Sequence, residues 1–128
     1  MSNVNTCASL DTGNDILILH EIRHALRKLL DDGESTIIDL RAIPMAPGEE
    51  ARIEAMLGQG ELSATLNALG KSTINETAFS GAWLITHYNT EDEILGKFIE
   101  ISKLPSILAS QHEDIEVALE QLTHQLLV

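Results

Sequence analysis

A chain of 128 residues matches one ordinary domain and leaves no room for a second core of useful size. Twenty acidic side chains against eight basic ones give a formal net charge of −12, which repels nucleic-acid phosphates and anionic lipid surfaces and favours basic protein patches as partners. With 44% apolar residues but only four aromatics, Phe79, Trp83, Tyr88 and Phe98, the core has to be built mainly from Leu, Ile and Ala.

Residues 1–12 are polar and aperiodic and read as a flexible N-terminal tail. Their one cysteine, Cys7, is the only cysteine of the chain, so an intramolecular disulfide and a Cys-only metal site are excluded, as suits a reducing compartment. No cation flanks Cys7 to lower its pKa, which makes it an inert tail cysteine. The N-terminus has neither a basic region nor an apolar run, and no stretch approaches the roughly 18 apolar residues of a membrane span. The expected location is the cytoplasm, without membrane insertion.

Asn14 or Asp15 is placed to cap a helix in which Ile16, Leu19, Ile22, Leu26, Leu29 and Leu30 recur at three- and four-residue spacing, and Gly33 is placed to end it. Thr36–Leu40 is short, β-branched and bounded by turn signals, a strand. Pro44 and Pro47 break the chain, and a second helix follows Pro47 and stops at Gly58. From Gly60 the period changes to two: Leu62, Ala64, Leu66 and Ala68 alternate with polar residues, a half-buried strand. Turns at Gly70-Lys71, Ser80-Gly81 and Asn89–Asp92 separate strands expected over Ser72–Phe79, Ala82–Tyr88 and Glu93–Ile101. Connections this short demand antiparallel pairing. A short helix near Ser106–Ser110 and an amphipathic one over Glu113–Leu127, with Ile115, Ala118, Leu119, Leu122 and Leu126 on one face, complete the chain. The expected fold is α+β: an antiparallel meander of about four to five strands, with the N- and C-terminal helices packed on one face.

His20-Glu21-Ile22-Arg23-His24 has the H-E-x-x-H spacing that sets two imidazoles one helical turn apart to hold zinc, with the glutamate as general base. On the helical wheel, however, His20 and His24 lie opposite the apolar stripe beside Arg27 and Asp31. The metzincin continuation is absent, since Arg27 and Leu30 stand where glycine and histidine are needed, and Glu49, Glu50 and Glu54 lack the context of a third ligand. An i,i+4 pair on a solvated face is the simpler reading; a small zinc-dependent hydrolase using His20, Glu21 and His24 is the alternative. Asp31–Glu34 lacks the alternating ligands of an EF-hand loop. Gly70-Lys71-Ser72 lacks the upstream glycine of a phosphate loop, and no serine stands at a nucleophile spacing. His87 alternates with Trp83 and Ile85 and reads as a partly buried, hydrogen-bonded side chain. No cofactor and no catalytic residue is assigned, and the chain is expected not to be an enzyme.

The most particular stretches are Gly60-Glu61-Leu62-Ser63-Ala64 and Ile74-Asn75-Glu76-Thr77-Ala78-Phe79-Ser80-Gly81-Ala82-Trp83. With Ile37–Leu40, Ile99-Glu100-Ile101 and Pro105–Leu108 they resemble the C-terminal region of the HupH/HyaF hydrogenase-expression proteins, over roughly residues 15–125. The resemblance implies a single domain of this kind over 13–128. It further implies an accessory factor for maturation of a nickel–iron uptake hydrogenase, one that binds a hydrogenase precursor, the small subunit included, or another maturation factor. A generic protein-interaction domain is the remaining alternative.

Within that reading Glu76 is the anomalous residue, because it shares a strand face with Ile74 and Ala78. Either it sits near an edge or bulge with a local hydrogen-bond partner, or it presents a polar recognition site together with Glu61 and Thr77. Trp83, the lone tryptophan, is expected to be a buried indole of the core.

Overall fold

A computed structural model describes residues 11–127. The chain runs α1 (Asn14–Asp32), β1 (Thr36–Asp39), a 3-10 turn (Leu40–Ala42), α2 (Glu49–Leu57), β2 (Ser63–Ala68), β3 (Gly70–Glu76), β4 (Ala82–Tyr88), β5 (Ile94–Ile101), a second 3-10 turn (Ser106–Leu108) and α3 (His112–Leu126). One five-stranded sheet has the order β1-β5-β4-β3-β2, and every neighbouring pair is antiparallel. Thus the expected meander of β2 to β5 is present, and β1 closes its far side by pairing Ile38 with Ile99.

Directly paired residues share a sheet face. On the first face Ile38, Ile99 and Leu84 form one row and Ile101 and Ala82 the next. Ile18, Ile22 and Ala25 of α1 and Ile53 and Leu57 of α2 pack onto them as the main core. Of the periodic stripe expected on α1, Ile22 is buried and Leu19, Leu26 and Leu29 pack against the core, but Ile16 and Leu30 are exposed and Ile18 and Ala25 take the buried positions. The helix terminus at Gly33 is as expected: the glycine takes φ 73 and donates its N–H to Leu29 O at 3.0 Å.

The start of α1 differs from expectation. Gly13, with φ 78, is the N-cap, and no side chain caps the helix. Asn14 instead donates to Pro44 O, and Asp15 accepts from Arg52 Nε at 3.0 Å. Asn14 N–H donates to Thr12 Oγ1 at 3.1 Å, and the residues just before the helix are held by a buried carboxylate on another helix. Glu49 Oε2 accepts from the N–H groups of Thr12 and Gly13, both at 3.0 Å, while Oε1 accepts from Thr12 Oγ1 and Ala46 N–H, both at 2.6 Å. Thr12 and Asp11, the latter 3.1 Å from Arg52 Nη2, are accordingly held against the domain rather than frayed. The rest of the expected tail, Cys7 included, lies outside the described residues.

The second face carries a smaller cluster of Ile74, Ile85 and Trp83, flanked by Ala64 and Phe98. Trp83 is a buried core indole as expected, its Nε1 donating to Ser102 O at 3.0 Å. Helices cover only the first face, and there only the β1, β5 and β4 side. β2 is an edge strand with Leu62 and Leu66 exposed, so the expected half-burial of that strand fails although its period of two is right. The C-terminal helix departs further. α3 is present, but none of its residues is buried, so α1 and α2 line the sheet and α3 does not. The amphipathic period was sufficient to make the helix and insufficient to name what its stripe rests on.

Two tests follow from this packing. Ile53 is 0% exposed between α2 and the sheet, and Ile53→Ala should lower the unfolding free energy by about 2–5 kcal/mol; Leu17→Ala, at a site 63% exposed, should change it by less than about 0.5 kcal/mol in the same urea titration. The hydrogen bond from Thr12 and the three backbone N–H groups outweigh burial and depress the Glu49 pKa from 4.5 to about 2. A carboxylate depressed in the folded state stabilises fully above its unfolded pKa and loses that contribution as pH falls from 4.5 towards 2. Glu49→Gln should therefore lower the melting temperature at pH 7 and flatten its fall below pH 4.5.

Candidate functional site

A cavity of about 540 Å³ opens where the C-terminal end of α2 meets the uncovered part of the first face, with Glu54, Gly58, Gly60, Asn75, Glu76 and Thr77 among its walls. A five-residue strap, residues 58–62, forms its rim. Gly58, at φ 64, ends α2 and donates to Glu54 O at 3.0 Å, and Ala78 N–H reaches Leu57 O at 2.8 Å. Gly60 N–H then donates to Glu76 O at 2.8 Å, and Glu76 N–H donates to Leu62 O at 2.9 Å. The Glu76 side chain adds a third tie, Oε1 accepting from Glu61 N–H at 3.1 Å.

This crossing explains the glycine of the Gly60-Glu61-Leu62-Ser63-Ala64 stretch. A Cβ at residue 60 would stand 2.4 Å from Thr77 O and 2.7 Å from Glu76 Oε1, so only glycine lets the strap lie this close to the strand. Glu61, Glu76 and Thr77 are indeed brought together, in unequal roles. Glu61 is exposed. Glu76 is half-buried, with Oε2 free of any hydrogen-bond partner among the described residues. Thr77 is 3% exposed and committed to the β3–β4 turn: its Oγ1 donates to Phe79 O at 3.1 Å and accepts from Phe79 N–H at 3.2 Å. It shapes the site without offering its hydroxyl to a visitor. Glu76, the last residue of the interior strand β3, thus has a local hydrogen-bond partner while its other oxygen has none among the described residues.

The wall residues Asn75 and Ser63 belong to the two particular stretches, and Glu54 was weighed only as a metal ligand; none of them was assigned to a binding site from the sequence. Ser63 Oγ lies 2.6 Å from Asn75 Oδ1, and Glu54 accepts from Lys97 Nζ at 2.8 Å, with Glu50 doing so at 3.1 Å. Burial alone lowers the Lys97 pKa, but the hydrogen bonds to Glu54 and Glu50 more than offset it, and the net shift is upward. Lys97 is therefore held as an ammonium that ties α2 to the middle of β5. The period-two pattern pointed at Ser63 and Asn75 only as polar residues on one strand face.

The His20, Glu21 and His24 triplet lies on the exposed face of α1, as the helical wheel predicted. Among the described residues no group of three His, Cys, Asp or Glu side chains is arranged to hold a metal ion. His87 is half-buried, its Nδ1 2.6 Å from Ser72 Oγ and its ring edge-on to Phe98 at 5.7 Å between centroids.

Residues 13–128 match the family model of the HupH hydrogenase expression protein, C-terminal conserved region. The hydrogenase expression/formation protein HoxQ of Azotobacter vinelandii is 26% identical over 100 residues, 78% of this chain and 34% of that protein. HupH of Rhizobium leguminosarum bv. viciae is 26% identical over 101 residues, 79% of this chain and 36% of that protein. The chain thus spans about a third of the length of these curated relatives. The solved structure of the hydrogenase expression protein HupH from Thiobacillus denitrificans superposes with a TM-score of 0.85 at 39% identity, covering 91% of this chain and 97% of that one.

The close crossing of strap and strand is directly testable. Gly60→Ala should cost about 1–3 kcal/mol of stability, because backbone rather than a flexible side-chain end has to give way. Amide exchange should quicken at residues 60 and 61 and leave α1 unchanged; equal protection at the strap in variant and parent would refute the contact.

Proposed function

Because the chain belongs to the HupH hydrogenase expression protein family, we propose that it is an accessory protein in the formation of a nickel–iron uptake hydrogenase, acting by binding and not by catalysis. Its partner is a hydrogenase precursor, the iron–sulfur small subunit first, or another maturation factor. The family relation supports the process, and the cavity rim supports the mode. Glu76 is among the walls of a preformed hollow, and Glu61, exposed on the strap beside it, donates its N–H to the Glu76 carboxylate, on a chain whose net charge is −12. Such a rim attracts a basic segment at long range and pairs with Arg or Lys at contact, while Asn75 and Ser63 inside offer hydrogen bonds to a peptide backbone.

The site contains carboxylates without a nucleophile, a metal cluster or an activated base beside them among the described residues, which favours recognition over chemistry. The work is placed in the cytoplasm, where precursor subunits are made. No helix among the described residues is long and apolar enough to cross a membrane.

The rim is tested by replacing both carboxylates at once. Glu61→Gln with Glu76→Gln retains an acceptor for the Glu61 N–H and should leave the circular dichroism spectrum unchanged, yet weaken capture of the precursor in a pull-down by roughly tenfold or more. Full capture by the folded double variant would remove the rim from the interface.

A further inference from the structure

α3 presents an apolar stripe that none of the described residues of its own chain buries. Ile115, Leu119, Leu122 and Leu126 recur at three- and four-residue spacing, and each is between 55 and 77% exposed. Helical geometry turns Glu113, Glu116 and Glu120 away from that stripe, so covering it would bury no carboxylate. A helix of 15 residues is marginal in water by itself, and such helices are ordinarily held by packing of the apolar face.

A second unfilled feature lies close by in the chain. On the second sheet face a cleft of about 210 Å³ is walled by Ile37, Ile85, Phe98 and Ile107, with His87 and Glu100 at its edges. Ile37 on its rim is 64% exposed, and Leu108 beside Ile107 is half-exposed. The hollow has room for an aliphatic side chain. Ile107 belongs to the 3-10 turn Ser106–Leu108, which only residues 109–111 separate from α3, so one chain carries the cleft and the stripe a few residues apart.

We propose that cleft and stripe form a homodimer interface in which α3 of each protomer lies across the second sheet face of the other and seats a stripe residue in its cleft. A chain that carries both a projecting helix and a receiving cleft is self-complementary. A twofold axis near residues 109–111 closes both contacts at once, as an isologous interface requires. The area agrees with a second copy better than with a single helix contact. Each stripe offers roughly 500 Å² of apolar surface, so two reciprocal contacts bury on the order of 2,000 Å² counting both sides, whereas one contact gives about half, at the lower limit for a stable pair. Repulsion between two chains of charge −12 is screened beyond about 8 Å at 0.15 M salt. The interface is separate from the rim at Glu61 and Glu76 and stands or falls independently of it.

The full chain should elute and scatter as a species of twice 14.0 kDa in size-exclusion chromatography with light scattering at 0.15 M salt. Leu119→Asp with Leu122→Asp, and separately Ile37→Asp, should each give a folded monomer, because all three positions are exposed within one chain. In a Cys7→Ser background, oxidation of Ile37→Cys with Leu119→Cys should yield a disulfide between chains on a non-reducing gel. A monomeric parent, a dimer indifferent to Ile37→Asp, or a cross-link within one chain would each overturn the proposal. In the first case, loss of precursor capture by the α3 variant would assign the helix to that partner instead.

Discussion

Glu49 is the constraint on which the helical layer depends. Its carboxylate is wholly buried and is satisfied by donors from three places: Thr12 and Gly13 before α1, Ala46 in the loop that precedes α2, and Arg52 one turn further along α2, with its Nη2 at 3.9 Å. A buried charge without such partners would be expelled or protonated, so its presence fixes the entry angle of α1 against α2. Arg52 extends the tie. Its hydrogen bonds to Asp15 and then Asp11 raise its own pKa, so the junction is a network of fixed charges that links residue 11 to residue 52. Everything that α1 buries, from Ile18 to Ala25, is aimed by that junction.

From there the sheet divides into a covered and an uncovered half. α1 and α2 occupy the first face over β1, β5 and β4, and Lys97 of β5, gripped by Glu50 and Glu54, ties α2 to that covered part. On the same face β3 and β2 turn Asn75 and Ser63 to the open space beside α2, and the cavity lies there. The hollow is a consequence of a five-stranded sheet wider than the two helices that cover it. Strands that the helices do not reach carry polar side chains without burying them, while Glu76 at the end of β3 pairs with Trp83 and belongs to the other face.

The proposed mode is binding to a protein partner. Glu76 is tied through one oxygen to the Glu61 N–H, and its other oxygen has no hydrogen-bond partner among the described residues. The second-face cleft and the α3 stripe are apolar where the cavity beside α2 is polar, and the proposed dimer would use the first while the proposed partner uses the second.

Much of the fold was legible from local pattern. Most of the stripe of α1, the left-handed stop at Gly33, the antiparallel order forced by short turns, the buried Trp83 and the solvent position of His20 and His24 all follow from spacing, because helix and strand periods decide which side chains share a face. The Gly60 and Glu76 stretches were recognisable as particular, and Glu76 as a residue out of place. What the local pattern did not contain was which faces would be covered. Leu62 and Leu66 alternate like a half-buried strand yet lie on an exposed edge, and α3 has the period of a packed helix without a surface beneath it. Nor did it show that Gly13 and a glutamate 36 residues away would replace the expected side-chain cap of α1. Periodicity is a property of consecutive residues, and so the sequence by itself determines elements and their faces. Coverage, buried ion pairing and the hollow beside α2 arise between residues distant along the chain, and only the tertiary structure decides them.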